Sequence, residues 1–541
     1  MIYLLWFAVL VVALVLYHRQ IYSRFQKYGV KFFKPTPLLG NAKEMIMRKK
    51  HIAQDYDDLY RGFPGERFVG RYEFLKPVVC VRDLELIKKV AVKDFEHFVD
   101  HPPMVDKTMD PIYGRNLFSL NSQEWKDMRS TLSPAFTSSK MRAMVPFMLE
   151  VSDMMMKTLK EQIKENGGYV DIEAKDLTSR YANDVIASCA FGLKVNSHRD
   201  VNNEFYTVGK ATASSGFRRI LVFLGYSSFP KYSVVMTIYI YLQFQTLGIK
   251  LLSEKTSTFF RRIILDTMKD RESKNILRPD MIHLLMKAKK GSLTHDEKPG
   301  EDDDAGFATV EESHIGQGVV NRDWSDDDLV AQAVLFFIAG FETVSTAMTF
   351  ILYELATHPE MQDRLAQEIK DHDIKTGGKF DFNSIQNMTY LDMVVSEVLR
   401  LWPPAVGMGR LCVKDYNLGK PNSNANKDYI IRKGETLTIP VWSLHHNPEY
   451  FPEPYKFDPE RFSEENKDKI KPLTYSPFGL GPRNCIGSRF ALCEIKVMVY
   501  NLLQQIQVSP CEKTQIPAKM AQDTFNVRLQ GGHWLRFTLR N

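Results

Sequence analysis

The 541-residue sequence is poor in cysteine. It has six, at Cys80, Cys189, Cys412, Cys485, Cys493 and Cys511, and no two form a close C-x-x-C pair. That spacing gives no support for a zinc site. There is no G-x-G-x-x-G fingerprint, so no flavin or nicotinamide is expected on a glycine-rich turn of this chain. Internal repeats are absent, which excludes solenoids and propellers. Charge imbalance is slight: the formal net charge of +6 argues against a dedicated nucleic-acid binder. Clear shifts of composition occur only near the start and around residues 288–328, so the chain reads as one large domain with an N-terminal appendage.

What is present begins at that appendage. Met1 to Tyr17 is uncharged and almost wholly apolar, and as a helix would span about 25 Å, near the lower limit for a membrane crossing. Trp6 and Tyr17 suit the two interfaces, and Arg19, Arg24, Lys27, Lys31 and Lys34 follow, which puts the body on the cytosolic side. A cleaved signal peptide would need a basic start and a small-residue cleavage site, and neither is evident. Residues 1–17 are therefore expected to be a transmembrane anchor. Residues 18–40 are expected to be a basic linker stiffened by Pro35-Thr36-Pro37, and 41–541 the body. In the cytosol its cysteines stay reduced.

Helical periodicity covers 147–165, 325–357, 360–372, 388–401 and 487–506. Strand-like runs appear at Phe68–Val81, Tyr429–Ile439 and Phe525–Leu539, so the body is expected to be mostly α with minor β. The polar stretch 288–324 reads as a surface connection. Ser325 with Asp328 forms a capping-box pattern that opens a helix running to about Thr357, roughly 50 Å long. With Val334 to Ile338 at its centre, that helix must cross the core.

The most informative run is Phe478-Gly479-Leu480-Gly481-Pro482-Arg483-Asn484-Cys485-Ile486-Gly487. It sets one cysteine in a glycine-bracketed loop that leads into an apolar helix. Such a loop can hold a thiolate against the face of a flat cofactor. Gly481 permits the turn, and Gly487 permits close approach to the ligand plane. A sulfur near a helix N-terminus is favoured as the anion, and Arg483 is placed to meet an acidic cofactor edge. The bland alternative is a buried, inert cysteine after a turn.

The spacing Phe478-x-x-Gly481-x-Arg483-x-Cys485-x-Gly487 resembles the haem-binding signature of the cytochrome P450 superfamily, with five residue types fixed in ten positions. The resemblance implies the cytochrome P450 fold preceded by a single N-terminal membrane-anchor helix. It implies haem b (iron protoporphyrin IX) as cofactor and Cys485 as the iron ligand. Ala339-Gly340-Phe341-Glu342-Thr343, inside the long helix, resembles the family's oxygen-binding segment. Ala339 and Gly340 would then lie beside the haem, Thr343 would supply an oxygen-side hydroxyl, and Glu342 would relay protons from solvent. The other reading has Thr343 bonding back to the Ala339 carbonyl and Glu342 as a solvated helix residue. Val344 departs from the family pattern, where a second Thr or Ser is usual. Glu397-x-x-Arg400 and Pro459-Glu460-Arg461-Phe462 resemble the family's scaffold pair, which implies a buried network of Glu397, Arg400 and Arg461. Trp125-x-x-x-Arg129, Arg410 and Arg483 form the implied haem-propionate set, with a solvated surface arginine as the alternative for each. His445 and His446 read as structural, not as iron ligands.

By analogy with the family, the pocket lining comes from Pro103–Leu120, the centre of the long helix, Ala405–Met408 and the hairpin near Thr524–Gly531. Phe118, Phe337, Phe341, Val406, Met408 and Phe525 are the apolar candidates, with ordinary core as the alternative. Phe217–Tyr241 is apolar with interspersed Arg and Lys, which fits either contact with the bilayer surface or a buried helix pair. The 56 residues after Cys485 leave no room for a reductase domain, so electrons are expected from another protein. The resemblance implies NADPH–cytochrome P450 reductase, with or without cytochrome b5. Lys126, Lys140 and Arg142 are candidates for a basic docking face, or are simply solvated charges. The resulting expectation is an endoplasmic-reticulum (microsomal) haem-thiolate monooxygenase similar to insect detoxification enzymes. It would insert one oxygen atom from O2 into lipophilic small molecules by hydroxylation, epoxidation or dealkylation. A haem-thiolate isomerase or dehydratase that needs no reductase, and a non-catalytic haem carrier or sensor, are the alternatives.

Overall fold

A computed structural model describes residues 2–102, 107, 110–213, 252–290, 306–310, 313, 315, 322–522 and 526–540. The expected membrane-surface segment Phe217–Tyr241, and Phe525, lie outside these residues.

The long helix runs from Asp326 to Thr357. The Ser325 hydroxyl accepts from the Asp328 N–H at 3.2 Å, and the Asp328 carboxylate accepts from the Ser325 N–H at 3.0 Å. Asp326, Asp327 and Asp328 in its first turn complement the positive end of the helix dipole. The helix crosses the core between Ala174–Cys189 on one side and Ser488–Leu503 and Thr389–Leu401 on the other. The helix is long and apolar enough to cross a membrane, but its most apolar window is 61% buried, as befits a core helix.

Ile2–Tyr22 is helical and continues past the expected end at Tyr17, through Arg19; Tyr3 and Trp6 on it are exposed. Of residues 18–40, expected as a linker, 18–22 belong to this helix and the part that follows packs onto the body. Phe25 is fully buried with its ring 5.0 Å from that of Tyr72, and Arg24 pairs with Glu435 at 2.6 Å. The helix expected at 147–165 begins at Ser138 and contains Pro146. Proline ordinarily breaks a helix interior, and here neighbouring buried side chains such as Met144, Val145 and Met148 hold the helix through it.

Phe68–Glu73, Lys76–Val81, Thr436–Ile439 and Met408–Leu411 form a four-stranded sheet in that spatial order. Its pairings are antiparallel, parallel and antiparallel. The strand period of two turns Met408 and Arg410 to the same buried face, and both residues line the main cavity. Tyr169–Glu173, Trp534–Leu539 and Ile506–Pro510 form a second, three-stranded sheet. The protein is mostly helical with minor β.

Candidate active site

A cavity of about 570 Å³ lies between the cysteine loop and the long helix. One wall is Phe478, Gly479, Arg483, Asn484, Cys485 and Gly487; the facing wall includes Phe336, Ala339, Gly340 and Thr343. The loop holds its shape through a Cys485 N–H that donates to the Phe478 carbonyl at 2.8 Å. Gly481 sits at φ +67°, and a Cβ there would lie 1.9 Å from the Ala91 carbonyl oxygen, so only glycine fits. Gly487 differs. Its φ is ordinary, and the nearest atom to a Cβ is Phe136 Cε1 at 3.8 Å, so a side chain there would extend along the cavity wall.

The Cys485 sulfur is open to the cavity yet enclosed by protein. Burial pushes its thiol up from the usual range, while the Gly487 N–H and the Arg129 charge act in the opposite direction. Helix Ser488–Leu503 starts three residues beyond it, so the sulfur faces an N-terminal amide and two sources of positive potential.

Four residues of the expected propionate set surround one end of the cavity, with different partners. Trp125 is buried, with the Arg483 guanidinium 4.0 Å over its ring. Arg483 donates to the carbonyls of Val99 at 2.8 Å, Leu117 at 3.3 Å and Leu120 at 2.8 Å. Arg129 donates to Asn484 O and Oδ1, both at 2.8 Å. Arg410 is 2% exposed and donates to its neighbour's carbonyl, Gly409 O, at 2.9 Å; its Nε has no partner among the described residues. Burial alone pulls this guanidinium down to about 10. A buried cation without a carboxylate is costly unless an anion meets it. His101, missed in the sequence, also lines this end, its ring 4.2 Å from Phe118. Burial and then Arg483 and Arg410 hold it neutral. A flat ligand that carries carboxylates on one edge and a metal at its centre fits this constellation of donors, thiol and flanking apolar walls.

On the facing wall the Thr343 hydroxyl donates to the Ala339 carbonyl at 2.6 Å and is open to the cavity, so both readings of this residue describe one geometry. Gly340 packs closely on the neighbouring helix: a Cβ there would lie 3.0 Å from Ile186 Cδ1. Glu342 does not line this cavity. It faces a second cavity of about 660 Å³. There its Oε1 meets Arg528 at 2.9 Å, Asn526 at 2.9 Å and Lys175 at 3.3 Å. Burial brings Lys175 down to about 8, against the pull of Glu342.

The scaffold behind the cysteine joins Glu397 and Arg400, both fully buried, in a fork of 2.6 and 2.8 Å. Arg461 Nε lies 3.4 Å from Glu397, and the Asp458 N–H donates to it at 3.0 Å. Arg400 also donates to the carbonyls of His445 and Pro454, both at 2.8 Å. His445 then links this network to the loop: its Nδ1–H donates to Arg400 O at 3.1 Å, and its Nε2 accepts from the Ser476 N–H at 2.9 Å.

Of the expected apolar lining, Phe118 and Met408 line the main cavity. Phe337 and Phe341 do not. Their rings stack at 5.5 Å on another face of the helix, Phe337 also against Phe205 and Phe260, and Phe341 lines the second cavity. A turn of 100° per residue gives the cavity Phe336, Gly340 and Thr343 instead. Ala405 and Gly407 line it, Val406 does not.

This fold, with a cysteine thiol facing a helix across an apolar cavity edged by arginines, is that of a haem-thiolate protein. The cytochrome P450 family model matches residues 30–533, and the chain belongs to that family. It is 44% identical to cytochrome P450 9e2 of Blattella germanica over 94% of this chain and 93% of that one. It is 37% identical to cytochrome P450 6k1 of the same organism over 95% and 92%. With cytochrome P450 9b2 of Drosophila melanogaster the identity is 35% over 96% and 95%. The cofactor of the family is haem, and the chain is an oxidoreductase of the monooxygenase type.

Proposed function

We propose that this protein oxidises lipophilic small molecules at a haem held by Cys485, by hydroxylation, epoxidation or dealkylation, and serves in xenobiotic detoxification. The observation that carries the reading is the Cys485 thiol facing Ala339, Gly340 and Thr343 across the cavity, with the buried Arg410 cation at its edge. Haem, when bound, supplies the iron chemistry that splits O2, and a thiolate ligand adds electron density to it.

The chain's own residues divide the remaining work. Cys485 provides the metal ligand, and the Gly487 N–H and Arg129 favour its anionic form. Arg410 supplies donors for a propionate, while Arg129 and Arg483 fix the backbone on which the cysteine sits. Trp125 and His101 complete that edge. Thr343 presents a hydroxyl oxygen with lone pairs to spare, able to hold a proton donor on the oxygen side. Glu342 takes protons from the second cavity and stands one residue from Thr343. Phe118, Phe336 and Met408 exclude water and accept an apolar substrate.

Electrons come from NADPH through NADPH–cytochrome P450 reductase, with cytochrome b5 as an additional donor; Lys126, which pairs with Glu96 at 2.8 Å, Lys140 and Arg142 are the candidates for a docking face. The helix Ile2–Tyr22, with its exposed apolar side chains, anchors the chain in the endoplasmic-reticulum membrane, with the body in the cytosol. The test is expression with the reductase and product analysis over a panel of lipophilic compounds, beside a carbon monoxide difference spectrum. A thiolate-type spectrum and NADPH-dependent products are expected. A spectrum that persists in Cys485→Ser would overturn the ligand assignment, and turnover without NADPH would indicate an isomerase or dehydratase.

A further inference from the structure

The chain just ahead of the long helix does not stay on the helix's own side of the molecule. Gly306, at φ +142°, lies so close to the start of Thr389–Leu401 that a Cβ would sit 1.9 Å from Asp392 Oδ1. The Phe307 N–H donates to Asp392 Oδ2 at 2.9 Å, and the same carboxylate pairs with the buried Lys496 at 2.8 Å. The Phe307 ring lies 5.2 Å from Phe462 and 5.6 Å from Tyr475. Tyr475 in turn stacks on His445 and leads directly into the cysteine loop. Phe307 keeps 38% of its surface exposed, so it rests on this face and is not part of the core.

A second foothold lies on helix Ser122–Leu132. The Ser130 hydroxyl donates to Ile315 O, Arg322 pairs with Glu124 and Asp127 at 3.2 Å each, and Trp324 Nε1 donates to Thr131 at 3.2 Å. That helix carries Lys126, and its Arg129 grips Asn484. The two footholds thus fall on the two helices that hold the cysteine loop from either side. In the sequence, the anchored stretch is bracketed by Glu301, Asp302, Asp303 and Asp304 before it and by Glu311 and Glu312 after it.

We propose that residues 306–310 form a strap on the cysteine-side face, and that an acidic electron-donor protein must displace it to dock. The inference rests on the reading that such a donor docks there. Like charges oppose an acidic partner, and six acidic residues flank the strap in sequence; aromatic contacts of this size are weak enough to be exchanged for a partner.

The test is a titration of the full-length haem protein with the reductase, reading apparent KM for reductase in NADPH-driven turnover. Cumene hydroperoxide-driven turnover and the carbon monoxide spectrum serve as donor-independent controls. Phe307→Ala is expected to lower the reductase KM about three- to tenfold, a factor of the size set by losing its ring contacts to Phe462 and Tyr475, with both controls unchanged. Phe307→Trp is expected to stay near wild type. Phe307→Leu keeps apolar bulk without the ring, and is expected to shift in the same direction as Ala; it carries the test if Ala fails to load haem. Lys126→Glu reports on the donor reading itself and is expected to raise KM. A Phe307 variant with unchanged or higher KM, beside a Lys126→Glu that weakens docking, overturns the strap and leaves the donor reading standing. Unchanged KM in Lys126→Glu together with salt-insensitive turnover overturns the docking face and the strap with it.

Discussion

Arg129 donates to both the backbone and the side-chain oxygen of Asn484, each at 2.8 Å, and Asn484 directly precedes the sulfur-bearing residue. One guanidinium fork thereby ties helix Ser122–Leu132 to the cysteine loop. Arg129→Ala removes two buried hydrogen bonds, each leaving an acceptor whose desolvation costs about 1–3 kcal/mol. It is expected to lower both the thermal midpoint and the haem-to-protein ratio. Arg129→Lys keeps the charge and loses the planar fork, so it should fall between the two. A lysine variant equal to wild type in both measurements would show that charge, not the fork, matters.

Gly481 and Gly487 make opposite predictions from one motif. At Gly481 the left-handed backbone and the Ala91 carbonyl at 1.9 Å from any Cβ forbid a side chain, so Gly481→Ala is expected to destabilise the loop by several kcal/mol, more than the roughly 1 kcal/mol of a helical glycine exchange. At Gly487 no protein atom stands closer than 3.8 Å to the new carbon. Gly487→Ala should leave soluble, folded protein and weaken haem seating. Circular dichroism and the haem absorbance ratio, measured together, separate the cases; equal loss of fold in both would contradict this account.

Thr343 is the residue for which the oxygen side is most easily tested. Its hydroxyl satisfies the Ala339 carbonyl at 2.6 Å, so Thr343→Ala also removes a local helix bond that is worth little to stability. Haem content should therefore be unchanged, while peroxide released per NADPH consumed should rise severalfold as the hydroxyl oxygen that holds a proton donor is lost. Unchanged coupling would reduce Thr343 to a helix residue.

The parts of this site that could be read from sequence are those whose geometry is local. The cysteine loop is confined to ten residues, and the capping box fixes the long helix within one residue of its start. The phase of that helix is not legible in the sequence: Phe337 and Phe341 are apolar like Phe336, and composition alone cannot say which side faces the cavity and which is core. Lys175 and Arg528 reach Glu342 from 167 and 186 residues away, so nothing near Glu342 announces them. Asn484 occupied a spacer position in the motif, and its grip on Arg129 appears only once the two segments meet. Helix Ala174–Cys189 escaped notice because nearly every position of it is buried, which erases the amphipathic stripe that marks surface helices.

Acid should weaken the scaffold behind the cysteine through two buried histidines. Burial brings His445 and His446 down to about 3, so both are neutral in the folded chain. An unfolded histidine titrates near 6.5. Between about pH 6.5 and 3 the unfolded state therefore binds protons that the folded state does not, and stability falls as pH falls. Each histidine contributes about 1.4 kcal/mol per pH unit in that window, or about 2 kcal/mol between pH 6.5 and 5. The damage is directed: protonating His445 Nε2 removes the acceptor of the Ser476 N–H at 2.9 Å and so releases the start of the cysteine loop. Thermal midpoints of the haem protein at pH 7.5, 6.5, 5.5 and 5.0 should decline below pH 6.5, and His446→Gln should flatten that decline. The glutamine variant has lost one titrating group, so a slope identical to wild type would mean that other groups govern the acid limb.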